Sequence, residues 1–172
     1  MKSSCLSTEE FHSDYEKYID LTDTSLSVED ILLDSFEKTH ALLKGIPSEK
    51  WGIPYDKDKW TVKEIVQHLI DNERVFAYRA ISFGRFDTVN LAGYNHNDYV
   101  RVSCANSKSV ENLLLEYATL REATLSLFKS FDSKMLSSVG LANNKKMSVR
   151  AIAFIIAGHE KHHCKIINQR YL

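Results

Sequence analysis

His159 and His163 stand four residues apart in the stretch GHEKHHCKII, near the end of a 172-residue chain that holds seven histidines. On a helix that spacing turns by ~40° and rises by ~6 Å, so both imidazoles share one face and can chelate a single ion. Ile152, Ile155, Ile156, His159, His163, Ile166 and Ile167 follow the i, i+3, i+4, i+7 rhythm of a core stripe. Two neutral rings inside such a stripe require hydrogen-bond partners or a ligand bond. His162 points ~60° to the other side of His159 and is the weaker ligand, suited to supporting the pair from outside or to facing solvent.

A third nitrogen comes from upstream. Ile65, His68, Leu69, Asn72, Phe76 and Ala80 form the inward stripe of another helical segment, with Glu73 and Arg79 on its flanks. Brought opposite the pair, His68 makes a three-histidine site from two helices. Closed structural zinc sites take four protein ligands; three leave a position for water or substrate, which is the catalytic pattern. The plainer alternative stays open at this point, because histidine pairs at this spacing are common and His68 can instead bond Glu73 or a backbone carbonyl. Imidazole nitrogen suits zinc, nickel, copper or iron(II). The expected cofactor is a divalent ion, zinc or nickel first, then iron or manganese.

The remaining chemistry-bearing residues offer less. Cys164 points ~100° away from His163, which suits packing at a helix interface better than ligation. His12 and His40 have no partners at ligand spacing, and nothing in the sequence requires His96 at the site. No GxSxG, P-loop or dinucleotide-binding glycine pattern occurs.

Four helices must position these groups. Ser27, followed by Glu29 and Asp30, starts the first, which runs through ILLDSFEKTHALLKG to Gly45, with Pro47 beyond. Thr61 and Glu64 form a capping box for the second, over Val62 to about Phe83, with Trp60 placed to staple onto Ile65. The third fills about Val110 to Phe131 behind Ser107 or Ser109, and the fourth begins at Ser148. No good run of strand alternation competes. The roughly twenty residues between the second and third helices, GRFDTVNLAGYNHNDYVRVSCANS, are long for a bundle connection and read as a crossover. Tyr94, Tyr99 and Arg101 from this segment, with Arg79, are candidate substrate contacts, and their alternative is ordinary packing and surface duty. The expected architecture is all-α, a four-helix bundle over residues 26–172 with residues 1–25 as an arm or short helix.

Composition narrows the function classes. Lys and Arg number 22 against 23 Asp and Glu, a net charge of −1 without a basic run, so nucleic acid is not an expected partner. A chain of this length buries a core without staples, so a metal would serve function rather than folding. Cys5, Cys104 and Cys164 are widely spaced, MKSSCLSTEE lacks an apolar signal core, and no apolar run approaches a membrane span. The expectation is a cytoplasmic protein with free thiols and no membrane contact.

WTVKEIVQHLIDNERVFAYR together with AGHEKHHCKIINQRYL resembles the DinB-like superfamily and its YfiT-type metal-dependent proteins, a likeness that extends from about Trp51 to Leu172 through FGRFD, GYNHNDYV and GLANNKKMSVRA. The resemblance implies a four-helix bundle with a crossover after the second helix, a divalent metal on His68, His159 and His163, Glu73 as an acid supporting those ligands, and a homodimer; Asn72 and His162, from their places on the two helices, are further candidates for that supporting role. Relatives of this kind include S-transferases that use low-molecular-weight thiols. The leading expectation is therefore a thiol S-transferase acting on a small molecule. A metal-dependent hydrolase is its rival, and a non-catalytic stress-response or binding module is a third reading from another class.

Overall fold

The computed structural model describes residues 6–172, so Cys5 lies outside the described residues; Cys104 and Cys164 are free. After two short 3-10 turns come α1 (Glu16–Ile19), α2 (Val28–Lys44), α3 (Val62–Gly84), α4 (His96–Val102), α5 (Val110–Lys129), α6 (Ser133–Ser137), β1 (Val139–Ala142), β2 (Lys145–Ser148) and α7 (Val149–Arg170). The four long helices begin where hydroxyl side chains stop their first amides from going unpaired. Ser27 accepts from the Asp30 amide at 3.1 Å, Ser109 from Asn112 at 3.1 Å and Ser148 from Ala151 at 3.0 Å. Thr61 and Glu64 close both bonds of a capping box at 3.2 and 2.8 Å. Trp60 lies with its indole centroid 4.9 Å from that of His68, which places it over the site as well as against the apolar cluster containing Ile65.

The long helices form a ring in which α2 packs on α7, α7 on α3, α3 on α5, and α5 back on α2. The helices consecutive in sequence, α2 and α3, thus stand diagonally, whereas the histidine-bearing α3 and α7 are neighbours. None of the described helices is long and apolar enough to cross a membrane.

Two apolar clusters fill the bundle. One takes Ile31 and Leu32 of α2, Phe76 to Phe83 of α3, Phe128 of α5 and Ala151 to Ala157 of α7. The other takes Leu43, Val62 to Ile70, Leu113, Tyr117, Ile167 and Tyr171. Between them the inward positions turn polar on every long helix: Ser35 and Thr39, Glu73, Arg121, then His159, Glu160 and His163 are all buried. Arg121, wholly buried, donates to Glu73 at 2.9 and 2.8 Å, to Glu160 at 2.6 Å, to the Leu32 carbonyl at 2.7 Å and to Ser35 at 3.2 Å. The Tyr117 hydroxyl donates to Glu160.

The elements not foreseen are small. β1 and β2 form an antiparallel hairpin, Gly140 opposite Met147, whose tip residues Asn143 and Asn144 have φ of 52° and 58°. Two successive left-handed residues make the turn that matches strand twist, and asparagine tolerates that conformation. The crossover carries the short helix α4. Residues 10–19 are built into the same core: Phe11 and Ile19 are buried in the first cluster, and Glu10 accepts from Ser148 at 2.9 Å and from Arg150 at 2.6 Å. The arm crosses α7 at Gly158, where a Cβ would stand 2.0 Å from the Tyr18 carbonyl oxygen. Only glycine admits that approach.

Replacing Arg121 by methionine strands two buried carboxylates and is expected to cost about 3–5 kcal/mol. Changing Glu73 and Glu160 to glutamine in the same protein should restore much of that loss. Urea unfolding of the single, double and triple variants measures both steps.

Candidate metal centre

His68 projects from the second turn of α3, and His159 and His163 from the middle of α7. The His159 Nε2 lies 3.1 Å from the His68 Nε2 and 3.2 Å from the His163 Nε2, and one ring nitrogen from each of the three falls within 4.8 Å of the others. All three residues are buried. A neutral imidazole nitrogen either donates one proton or accepts with one lone pair, so His159 Nε2 cannot form a good bond to both neighbours at once. A cation accepts all three lone pairs. The edges of a tetrahedron with metal–nitrogen bonds of ~2.0–2.1 Å are about 3.3–3.4 Å long, close to the two short separations. The residues fit a divalent ion.

Their protonation fits as well. Burial, reinforced by the neighbouring imidazoles, pushes His68 down to about 4, His163 down to about 3, and His159 well below the ordinary histidine value. The lone pairs are therefore free at neutral pH. Nitrogen donors without a carboxylate suit zinc, nickel or another first-row ion rather than magnesium or calcium. His163 Nδ1 is buried without a hydrogen-bond partner, so packing against Trp60 and His162 and the Nε2 contact with His159 set that ring's plane.

The imidazoles lie on the wall of a cavity of about 690 Å³. Asn72 and Arg79 line it from α3, and Asn72 donates to the Tyr94 hydroxyl at 2.8 Å, fixing the crossover across the mouth. His162 is half-buried at the rim, edge-on to Tyr18. Three candidates stand elsewhere. Glu73 supports no ligand directly: both its oxygens are taken by Arg121, and His68 meets His159 instead. Arg101 is exposed and paired with Asp98 at 2.7 Å, one turn along α4. Tyr99 does not line the cavity and reaches it only through its ring contact with Tyr94, centroids 4.9 Å apart. Polar loop residues on a short helix take the solvent side unless an inward stripe draws them in, and in α4 only Val100 is buried.

Other walls were not anticipated. Tyr15, Lys17 and Tyr18 come from the arm, and Asn143 and Lys145 from the hairpin. His96, which the sequence allows to approach the site without requiring it, does enter from the start of α4, its ring 5.5 Å from that of His68. The network beneath had a readable signal: Arg121 shares the stripe Leu113, Tyr117, Thr124 and Phe128, the phase of a buried residue. Cys164 packs as expected, its thiol 3.3 Å from Thr39 Oγ1 and raised to about 11 by burial.

The three depressed histidines set a pH dependence. Unfolded histidines take up protons near pH 6.5 while the folded ones refuse them, so their contribution to stability is complete above about pH 6.5 and is lost as the pH falls toward 4 and 3. For metal-free protein, the urea midpoint is expected to hold from pH 8 to 7 and to fall between 6.5 and 5, before most carboxylates titrate. A His159→Leu variant should flatten that fall.

Comparison with known proteins agrees with this architecture. A solved structure described as "YfiT from Bacillus subtilis is a probable metal-dependent hydrolase with an unusual four-helix bundle topology" superposes with a TM-score of 0.70 at 15% identity, covering 95% of this chain and 87% of that one. At that identity the likeness speaks for the fold. No curated protein matches. The family model of the DinB superfamily matches residues 32–167, from the first turns of α2 almost to the end of α7. The chain belongs to the DinB superfamily.

Proposed function

We propose that the protein is a metal-dependent enzyme that transfers a low-molecular-weight thiol to a small electrophile, with His68, His159 and His163 holding a divalent ion. The observation that carries this reading is the division of donors: three imidazole nitrogens converge on the cavity, while the nearby carboxylates of Glu73 and Glu160 are committed to Arg121. A divalent ion held there would supply Lewis acidity, favouring the thiolate of a thiol or lowering the pKa of a water taken into its open position. A thiol brought to such an ion would release its proton to solvent, with no protein base required. Hydrolysis is best served by a base beside the nucleophile, and Asp14, the carboxylate on the cavity wall, is paired with Lys145. Trp60 and Tyr18 flank the imidazoles and keep their surroundings apolar, while Asn72 and Tyr94 present polar groups to a substrate.

A hydrolytic reading draws on the description of the YfiT structure as a probable metal-dependent hydrolase. His96, with its ring 5.5 Å from that of His68, is then the group placed to take a proton.

Protein purified without a histidine tag should carry about one divalent ion per chain, zinc or nickel, by elemental analysis. His159→Ala should weaken binding by more than the 10–100-fold typical of losing an outer partner. Loaded protein should consume thiol with an electrophile and leave esters and amides intact. The reverse pattern selects hydrolysis, and turnover of neither set selects a binding module.

A further inference from the structure

We propose that the cavity wall formed by Arg79 is a receptor for an oxyanion, a carboxylate in the first instance, at the end of the substrate remote from the reacting group. The proposal rests on the metal-dependent reading for its reaction, though the receptor itself stands on separate residues.

The contrast between two buried arginines carries it. Arg121 has two carboxylates, a carbonyl and a hydroxyl around it. Arg79 is only 5% exposed, and its Nε is buried without a hydrogen-bond partner. Among the described residues no carboxylate pairs with it: Asp71 faces Arg74 and Gln67, Glu73 faces Arg121, and Asp14 pairs with Lys145. Its Cζ lies 4.8 Å from the Phe76 ring centroid, and the guanidinium borders the open cavity. A buried charge without a counter-charge is costly, and it is kept where something else supplies the counter-charge. Burial pushes its pKa down, opposed by Tyr15 and Tyr94.

The cavity's charge agrees. Its lining contains Lys17, Arg79 and Lys145 against Asp14 alone, on a chain whose net charge is −1. A concave wall with that excess attracts anions, and the planar guanidinium fork matches a carboxylate with two parallel bonds.

Spacing gives the ligand a length. His68 and Arg79 are eleven residues apart on α3, a rotation within about 20° of whole turns and a rise of ~16 Å. Helical side chains lean toward the N-terminus, so the guanidinium reaches back toward the histidines. The fitting molecule is an extended organic anion with its reactive group at the imidazoles and its carboxylate on the order of 10 Å away.

The test uses cobalt(II)-loaded protein, whose absorption reports a thiolate joining the metal, titrated with 8-mercaptooctanoate and with uncharged 8-mercaptooctan-1-ol. Wild type should bind the carboxylate about tenfold tighter or more, as expected for a charge-assisted pair. Arg79→Gln should lose that preference while keeping cobalt. An equal preference in the variant overturns the proposal. If cobalt does not bind, the metal reading fails, and the receptor is tested on the same protein by thermal unfolding with octanoate, octan-1-ol and inorganic phosphate. Stabilisation of wild type but not Arg79→Gln by an anion supports it, octanoate ahead indicating a carboxylate and phosphate ahead a phosphoryl group. Stabilisation of both proteins alike, or of neither, overturns it. Without anions, Arg79→Gln should melt no lower than wild type; a clear drop marks a purely structural guanidinium and also overturns the proposal.

Discussion

One guanidinium touches all four long helices. From α5, Arg121 reaches the Leu32 carbonyl and Ser35 on α2, Glu73 on α3 and Glu160 on α7. Such a group cannot be shifted by a helical turn or rotated by a residue without leaving a buried charge unpaired, a penalty of several kcal/mol. Glu73 is five residues after His68, and Glu160 directly follows His159. Fixing those two carboxylates fixes the rotation of α3 and α7, and with it the convergence of the imidazoles. Leucine and isoleucine contacts alone would tolerate sliding far better, since apolar packing has no direction. The polar layer costs desolvation and contributes register.

That layer also sorts the donors by type. Two acids and one base occupy the dry side, and burial together with Glu73 raises Glu160 against the pull of Arg121. The imidazoles occupy the side that opens to the cavity, neutral and crowded at 3.1–3.2 Å. Were a carboxylate among them, the site would gain charge and favour harder ions. An all-nitrogen set keeps the full charge of a bound divalent ion available to polarise whatever enters. On the proposed reading, the cavity's excess of cations would act on the substrate's remote end rather than on the metal. Reactivity and recognition would thereby fall to different residues along the same face of α3.

What was legible in the sequence follows from how local the signals are. The four caps are hydrogen bonds between residues three apart, so Ser27, Thr61 and Ser148 announce their helices, and Ser109 is one of the two hydroxyls, with Ser107, that mark the third. The stripes containing His68, His159 and His163 carried their own phase, and the bundle brings these residues together. Glu73 misled because its flank position is equally consistent with a neighbouring histidine and with Arg121, 48 residues away; pairing across a core is not a local property. Arg121 carried the right phase but the wrong chemistry for a core, and charged residues are ordinarily assigned to solvent. The hairpin escaped because its strands are four residues each and alternate weakly, although Asn143-Asn144 is the dipeptide its turn requires. The arm escaped because its burial depends on a missing Cβ at Gly158, 140 residues from the Tyr18 carbonyl it admits.

The topology explains why the cavity has walls of such mixed origin. The segments outside the long helices, among them those joining the diagonal pairs α2–α3 and α5–α7, supply the surfaces that the rods cannot. The crossover delivers Tyr94 and His96, the hairpin Asn143 and Lys145, and the arm Tyr15, Lys17 and Tyr18. The imidazoles and Arg79 belong to helices locked by the buried layer, whereas the facing wall belongs to segments with few residues in the core. Short connecting segments tolerate change more readily than packed rods. On the proposed reading, the selection of a substrate's body would fall to the loops, and its two charged or reactive ends would be held by α3 and α7. If both stations on α3 are used as proposed, a substrate must be long enough to span them, a restriction set by helix geometry rather than by any loop.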